Sequence, residues 1–76
     1  MIKLTNTQLE ELLYSGTTLE FENIRIFSWF DDVTKEKNID ICRIKPWKEV
    51  NVIINGMTTV QLNETIMAGI SQVLEP

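Results

Sequence analysis

The strongest constraint on this chain is a change of hydrophobic period along it. In "LTNTQLEELLYSG" the residues Leu9, Leu12 and Leu13 share one face at helical spacing. From residue 18 onward Leu19 and Phe21 alternate with Glu20 and Glu22, which is the period of a strand with one wet face. A helical period returns only in "NETIMAGISQVL" at the other end. A chain patterned in this way must lay helices from its two ends against strands from its middle.

The first helix is predicted over residues 6–15. Thr5 is its N-cap, and Gln8 three residues on completes a capping box. Leu4 and Leu9 form a hydrophobic staple, Glu10 and Glu11 point away from the apolar face, and Gly16 is suited to a left-handed stop. Residues 18–30 read as one long strand or as two split at Glu22-Asn23. In "IRIFSWF" the residues Ile24, Ile26, Ser28 and Phe30 share one face, while Arg25, Phe27 and Trp29 share the other. Both faces are largely apolar, as in a central strand or one whose outer face is covered.

A polar loop is predicted over residues 31–38 and a strand over 39–45, ended by Pro46. Residues 50–54 form another strand. Asn55-Gly56 suits a type I′ hairpin turn, which makes "MTTVQL" a final strand and Asn63 the cap of the last helix. A rival reading starts that helix near Thr59 and removes the final strand. Ile66, Met67, Ile70, Val73 and Leu74 form one apolar stripe in this last element. The order is α-β-β-β-β-α: a single small α+β domain over residues 1–76, with a mostly antiparallel sheet of about four strands and helices at its N- and C-terminal ends.

A 76-residue chain has room for one domain, and it buries only ~60% of its unfolded surface. One cysteine, Cys42, excludes an intrachain disulfide, and the absence of histidine excludes a structural zinc site within one chain. The core must hold by packing or by self-association, so a homodimer is one expectation. No apolar run approaches the ~20 residues of a membrane span, and "MIKLTNTQLEELL" lacks the character of a signal peptide. The reading is a cytoplasmic protein that does not enter membranes.

Catalytic equipment is sparse. Without histidine the commonest general base is missing, and Ser-His or Cys-His pairs cannot form in one chain. Cys42 lies in a predicted strand, where a buried inert thiol is the usual finding. Asp31-Asp32 reads as a solvated turn rather than a metal site, and the three glycines are too scattered for a phosphate loop. No enzyme activity, cofactor or metal is expected.

Net charge is −4, with five bases against three acids in residues 35–49 and acid on both sides of that stretch. Arg43, Lys45, Trp47 and Lys48 in "ICRIKPWKEV" combine positive charge with a stacking surface, the two ingredients of single-strand binding. The chain's pI of about 4.6 argues against nucleic acid as the partner. An acidic mimic of nucleic acid, built on residues such as Glu20 and Glu22, is a further alternative that the seven bases dilute.

The favoured reading is a protein-interaction or regulatory module, an adaptor or inhibitor comparable in size and acidity to small accessory proteins of phages and mobile elements. Its binding residues are Arg25, Phe27, Trp29 and Trp47, because aromatics beside an arginine have the composition of an interface centre. A homodimer through the Phe27/Trp29 face would account for the same pattern. No motif in the chain is specific enough to name a family.

Overall fold

The computed structural model describes residues 2–76. Helix α1 (Asn6–Tyr14) leads into strands β1 (Thr18–Phe21), β2 (Ile24–Asp31), β3 (Glu36–Arg43) and β4 (Lys48–Ile53), and helix α2 (Thr59–Leu74) closes the chain. The order α-β-β-β-β-α holds. The four strands pair antiparallel with their neighbours in sequence, in the spatial order β1-β2-β3-β4. Among the described residues no helix is long and apolar enough to cross a membrane.

Both helices lie on one face of the sheet. Ile24 and Ile26 of β2 and Ile39 and Ile41 of β3 form one buried cluster with Leu9, Leu12 and Leu13 of α1 and with Leu62, Ile66, Ile70 and Val73 of α2. The shortest dimension of the molecule is 17 Å, enough for one layer of helices on one sheet. Among the described residues no element covers the other sheet face.

The α1 cap forms as the sequence requires. Gln8 N donates to Thr5 Oγ1 at 3.1 Å, and Thr5 N donates to Gln8 Oε1 at 2.9 Å. Gly16, at φ +73°, follows the helix in the left-handed region. Residues 18–30 split at Glu22-Asn23, where Asn23 adopts φ +60°. Its amide is satisfied in both directions by the turn between β3 and β4: Lys45 N donates to Asn23 Oδ1 and Asn23 Nδ2 donates to Lys45 O, both at 2.9 Å. That turn contains a cis Lys45–Pro46 bond.

Several boundaries differ from those expected: α1 ends one residue earlier, at Tyr14, β4 spans Lys48–Ile53 rather than residues 50–54, and three further differences have clear causes. Strand β3 starts at Glu36, so the polar loop shrinks to residues 32–35 and most of it is the hairpin turn. Ile44 and Lys45 leave the strand, because Ile44 N bonds to Asn23 O at 2.9 Å instead of continuing a ladder. "MTTVQL" is not a strand. Gly56 is left-handed at φ +74° whereas Asn55 is not, so the two form a turn of type II character closed by Met57 N to Ile54 O at 3.2 Å. A type I′ hairpin needs positive φ at both positions. The chain instead enters α2, capped by Thr58 and not by Asn63. Gln61 N donates to Thr58 Oγ1 at 3.1 Å and Thr58 N donates to Gln61 Oε1 at 2.9 Å, a second capping box. The rival reading, with the helix starting near Thr59, is the one found. The strand count survives because the split at Asn23 replaces the strand lost here.

Gly69 sets the distance between α2 and the sheet. A Cβ at this position would overlap Ile41 Cδ1 and press on Val50 Cγ2 at 3.3 Å. Alanine would add about 1 kcal/mol of helix propensity, yet Ile41 is fully buried and has little room to yield. Overpacking of this kind costs about 1–3 kcal/mol. Gly69→Ala is therefore expected to lower stability in urea unfolding by about 1 kcal/mol net. In an Ile41→Val background, which removes the overlapping methyl, the same change should be close to neutral.

Candidate functional site

Strand alternation and register together define the face without helices. Residues directly opposite one another in neighbouring strands share a face, so this surface is read in rows across the sheet. One row runs Glu20, Arg25, Cys42, Glu49. The next is Thr18, Phe27, Asp40, Asn51. The third is Trp29, Asn38, Ile53, and the last, beside the β2–β3 turn, is Asp31 and Glu36.

Arg25, Phe27 and Trp29 thus stand together on the uncovered face, as the alternation in "IRIFSWF" implied. Trp29 is 41% exposed and Ile53 is 49% exposed, while Asn38 between them is buried. The indole is oriented by hydrogen bonding, since Trp29 Nε1 donates to Asp40 Oδ2. Asp40 also accepts from Asn51 Nδ2, at 3.0 Å to Oδ1. One carboxylate at the centre of the face therefore positions an aromatic from β2 and an amide from β4. Asp40, Asn51 and Ile53 were not singled out in the sequence, because only the pairing register brings them beside Trp29.

Charge on this face is strongly one-sided. Glu20, Asp31, Glu36, Asp40 and Glu49 oppose a single base, Arg25. Its formal charge is −4, the same as that of the whole chain, and the remaining six bases and six acids cancel. Arg25 is itself committed: its Nε lies 3.4 Å from Glu20 Oε1, an ion pair without hydrogen-bond geometry. Both side chains are well exposed, so the pair adds little to stability.

The basic stretch lies elsewhere. Arg43 and Lys48 are on the helix side of the sheet. Arg43 Nη1 and Lys48 Nζ donate to Glu75 O at 3.1 and 3.4 Å, and Arg43 Nε donates to Pro46 O at 2.8 Å. They satisfy the C-terminal end of α2, which has no basic residue in its own last turn. Lys37 does the same for α1, donating from Nζ to Leu13 O at 2.9 Å with the ammonium 5.5 Å from the Tyr14 ring centroid. Lys45 and Trp47 are exposed in the turn, Trp47 at 57%. Trp47 does not join the Phe27/Trp29 patch. Trp29 pairs with Asn38 and the turn follows Arg43, a separation of five residues along β3, or about 17 Å.

Cys42 is buried as expected, though on the helix-free face between Arg25 and Glu49 rather than among core side chains. Burial pushes its thiol above the ordinary value of 9.0, and Glu49 and Asp40 push it the same way against an opposing Arg25. The thiolate is disfavoured, which suits an inert group rather than a nucleophile. Among the described residues no three histidine, cysteine or carboxylate groups gather as a metal cluster requires. A second aromatic surface lies at the end of α1, where Tyr14, Phe30 and Lys37 border a cleft of about 460 Å³ that Trp29 also edges.

No family model matches this chain, and neither curated proteins nor solved structures give a significant match.

The Cys42 environment predicts a pH dependence. The folded thiol titrates above its unfolded value, so its contribution is fully present below pH 9.0 and is lost as pH rises through the folded value. Stability measured by urea unfolding should fall on going from pH 8 to pH 10 by less in Cys42→Ala than in the parent (about one thiol's titration). Equal slopes would show that the thiol is not held protonated by the fold.

Proposed function

We propose that this protein is a binding module, a cytoplasmic regulatory or adaptor protein with no chemistry of its own, and that its helix-free sheet face is the surface that docks a partner protein. One observation carries the reading. Phe27, Trp29 and Ile53 present apolar surface on a face that none of the described elements covers, with the Trp29 ring already fixed through Asp40. Aromatic side chains held in place before binding lose little conformational freedom on contact, which is why they dominate interface energetics. Acidic and amide groups set among them supply the polar contacts of such a surface.

The basic stretch supports a nucleic-acid reading less well. Two of its three bases, Arg43 and Lys48, are turned toward the Glu75 carbonyl, leaving Lys45 and Trp47 as the outward pair. One base beside an indole makes a small electrostatic footprint on an acidic protein.

The test is retention of a partner on the immobilised protein, compared across surface variants. Trp29→Ala and Ile53→Ser should each release the partner, with losses of about tenfold or more in affinity. Val60→Ser, on the exposed side of α2, and Trp47→Ala should not. Thermal melts of all four check folding. Release by Trp47→Ala alone would move the site to the β3–β4 turn and overturn the assignment.

A further inference from the structure

We infer that the partner meets this face with a cluster of lysine and arginine side chains, on a protein surface of the kind that holds phosphate groups. The inference rests on the reading of the helix-free face as the binding surface and names what that surface recognises.

Charge complementarity selects the occupant. The whole formal charge of the chain lies on one side of the sheet, five carboxylates against one arginine. That arginine faces Glu20, and among the described residues theirs is the one ion pair. Asp31, Glu36, Asp40 and Glu49 have no base beside them on the face. A second copy of this chain would bring the same carboxylates against each other, a juxtaposition that costs several kcal/mol. A nucleic acid would add phosphates to the same repulsion. A cationic surface reverses the sign of every one of these terms.

Spacing separates a basic protein from a metal ion. Asp40 and Glu49 lie one strand and two residues apart, about 8 Å by sheet geometry. Glu20 and Glu49 are three strands apart, about 14 Å. No single ion spans such distances, whereas several Lys and Arg side chains on one surface do. The exposed ring of Trp29 lies among them and offers a face to a guanidinium in a cation–π contact. Carboxylates spread at this spacing around a stacking surface present to a basic partner what a phosphate-bearing ligand would present. Occupation of the face would therefore cover that partner's own phosphate-binding groups.

The experiment uses fluorescein-labelled nona-arginine as the probe, in a Trp47→Phe background where Trp29 is the only tryptophan. Two triple variants make the same change in net charge. Glu20→Gln/Glu36→Gln/Glu49→Gln acts on the face and leaves Asp40 in place to accept from Trp29 and Asn51, while Glu10→Gln/Glu11→Gln/Glu64→Gln acts on the exposed sides of the helices. Binding should perturb Trp29 emission and weaken about tenfold or more between 50 and 200 mM salt. The face triple should weaken it about tenfold, and the helix triple less than twofold.

Equal weakening by both triples, or a Trp29 signal that does not respond to the probe, overturns the proposal. So does sedimentation showing a dimer that Trp29→Ala dissociates, which would give the face to a second copy. A retained partner released by Trp29→Ala, together with failure of nona-arginine, would leave the face as the binding surface and remove its cationic partner. A partner unaffected by Trp29→Ala would remove both readings.

Discussion

Everything in this molecule depends on the contact between four isoleucines and two helices. Ile24, Ile26, Ile39 and Ile41 project from the two central strands into a layer formed by Leu9, Leu12 and Leu13 on one side and Leu62, Ile66, Ile70 and Val73 on the other. One cysteine and no histidine leave no covalent or metal staple to share the load. Gly69 allows α2 to approach close enough for its stripe to reach Ile41 and Val50. A small core needs such close packing because its burial is marginal for its length.

Arrangement of the charges follows from that one-sided core. Neither helix has a basic residue in its last turn, so the orphan carbonyls at both C-terminal ends take donors from the sheet. Lys37 serves α1, and Arg43 and Lys48 serve the end of α2. All three lie at helix-side positions of β3 and β4, on the rim of the core where a long side chain can bury its stem and still reach a carbonyl. With those bases drawn to the helical layer, the opposite face keeps its carboxylates with little to offset them.

Much of this was legible in the sequence wherever a signal is local. The box of Thr5 and Gln8, the alternation through Ile24–Phe30 and the stop at Gly16 each depend on residues a few positions apart. The same Thr-x-x-Gln spacing recurs at Thr58 and Gln61, yet Asn55-Gly56 just before it carried the stronger hairpin signal and prevailed in the sequence reading. What decides between them is the φ of Asn55, and a dipeptide signal does not specify it. Its side chain is held by the fold, with Lys37 N donating to Asn55 Oδ1 at 2.7 Å. Non-local features stayed hidden for a related reason. Arg25, Phe27 and Trp29 share a face by alternation alone, but Asp40, Glu49 and Ile53 join them only through the register of three strand pairs. Trp47 looked like a neighbour of the basic residues and was, although the separation of its turn from Trp29 is a property of strand length and pairing.

Segregated charge also gives the molecule a direction. A layer with no net charge lies against a layer of formal charge −4 within a thickness of 17 Å, so the protein carries an electric dipole along the sheet normal. In the field of a positively charged object it experiences a torque as well as an attraction. It rotates to present the uncovered face while still beyond contact distance, and the torque fades as salt shortens the screening length. An encounter with such an object would begin with part of the orientational search, ordinarily its slow and improbable part, already made.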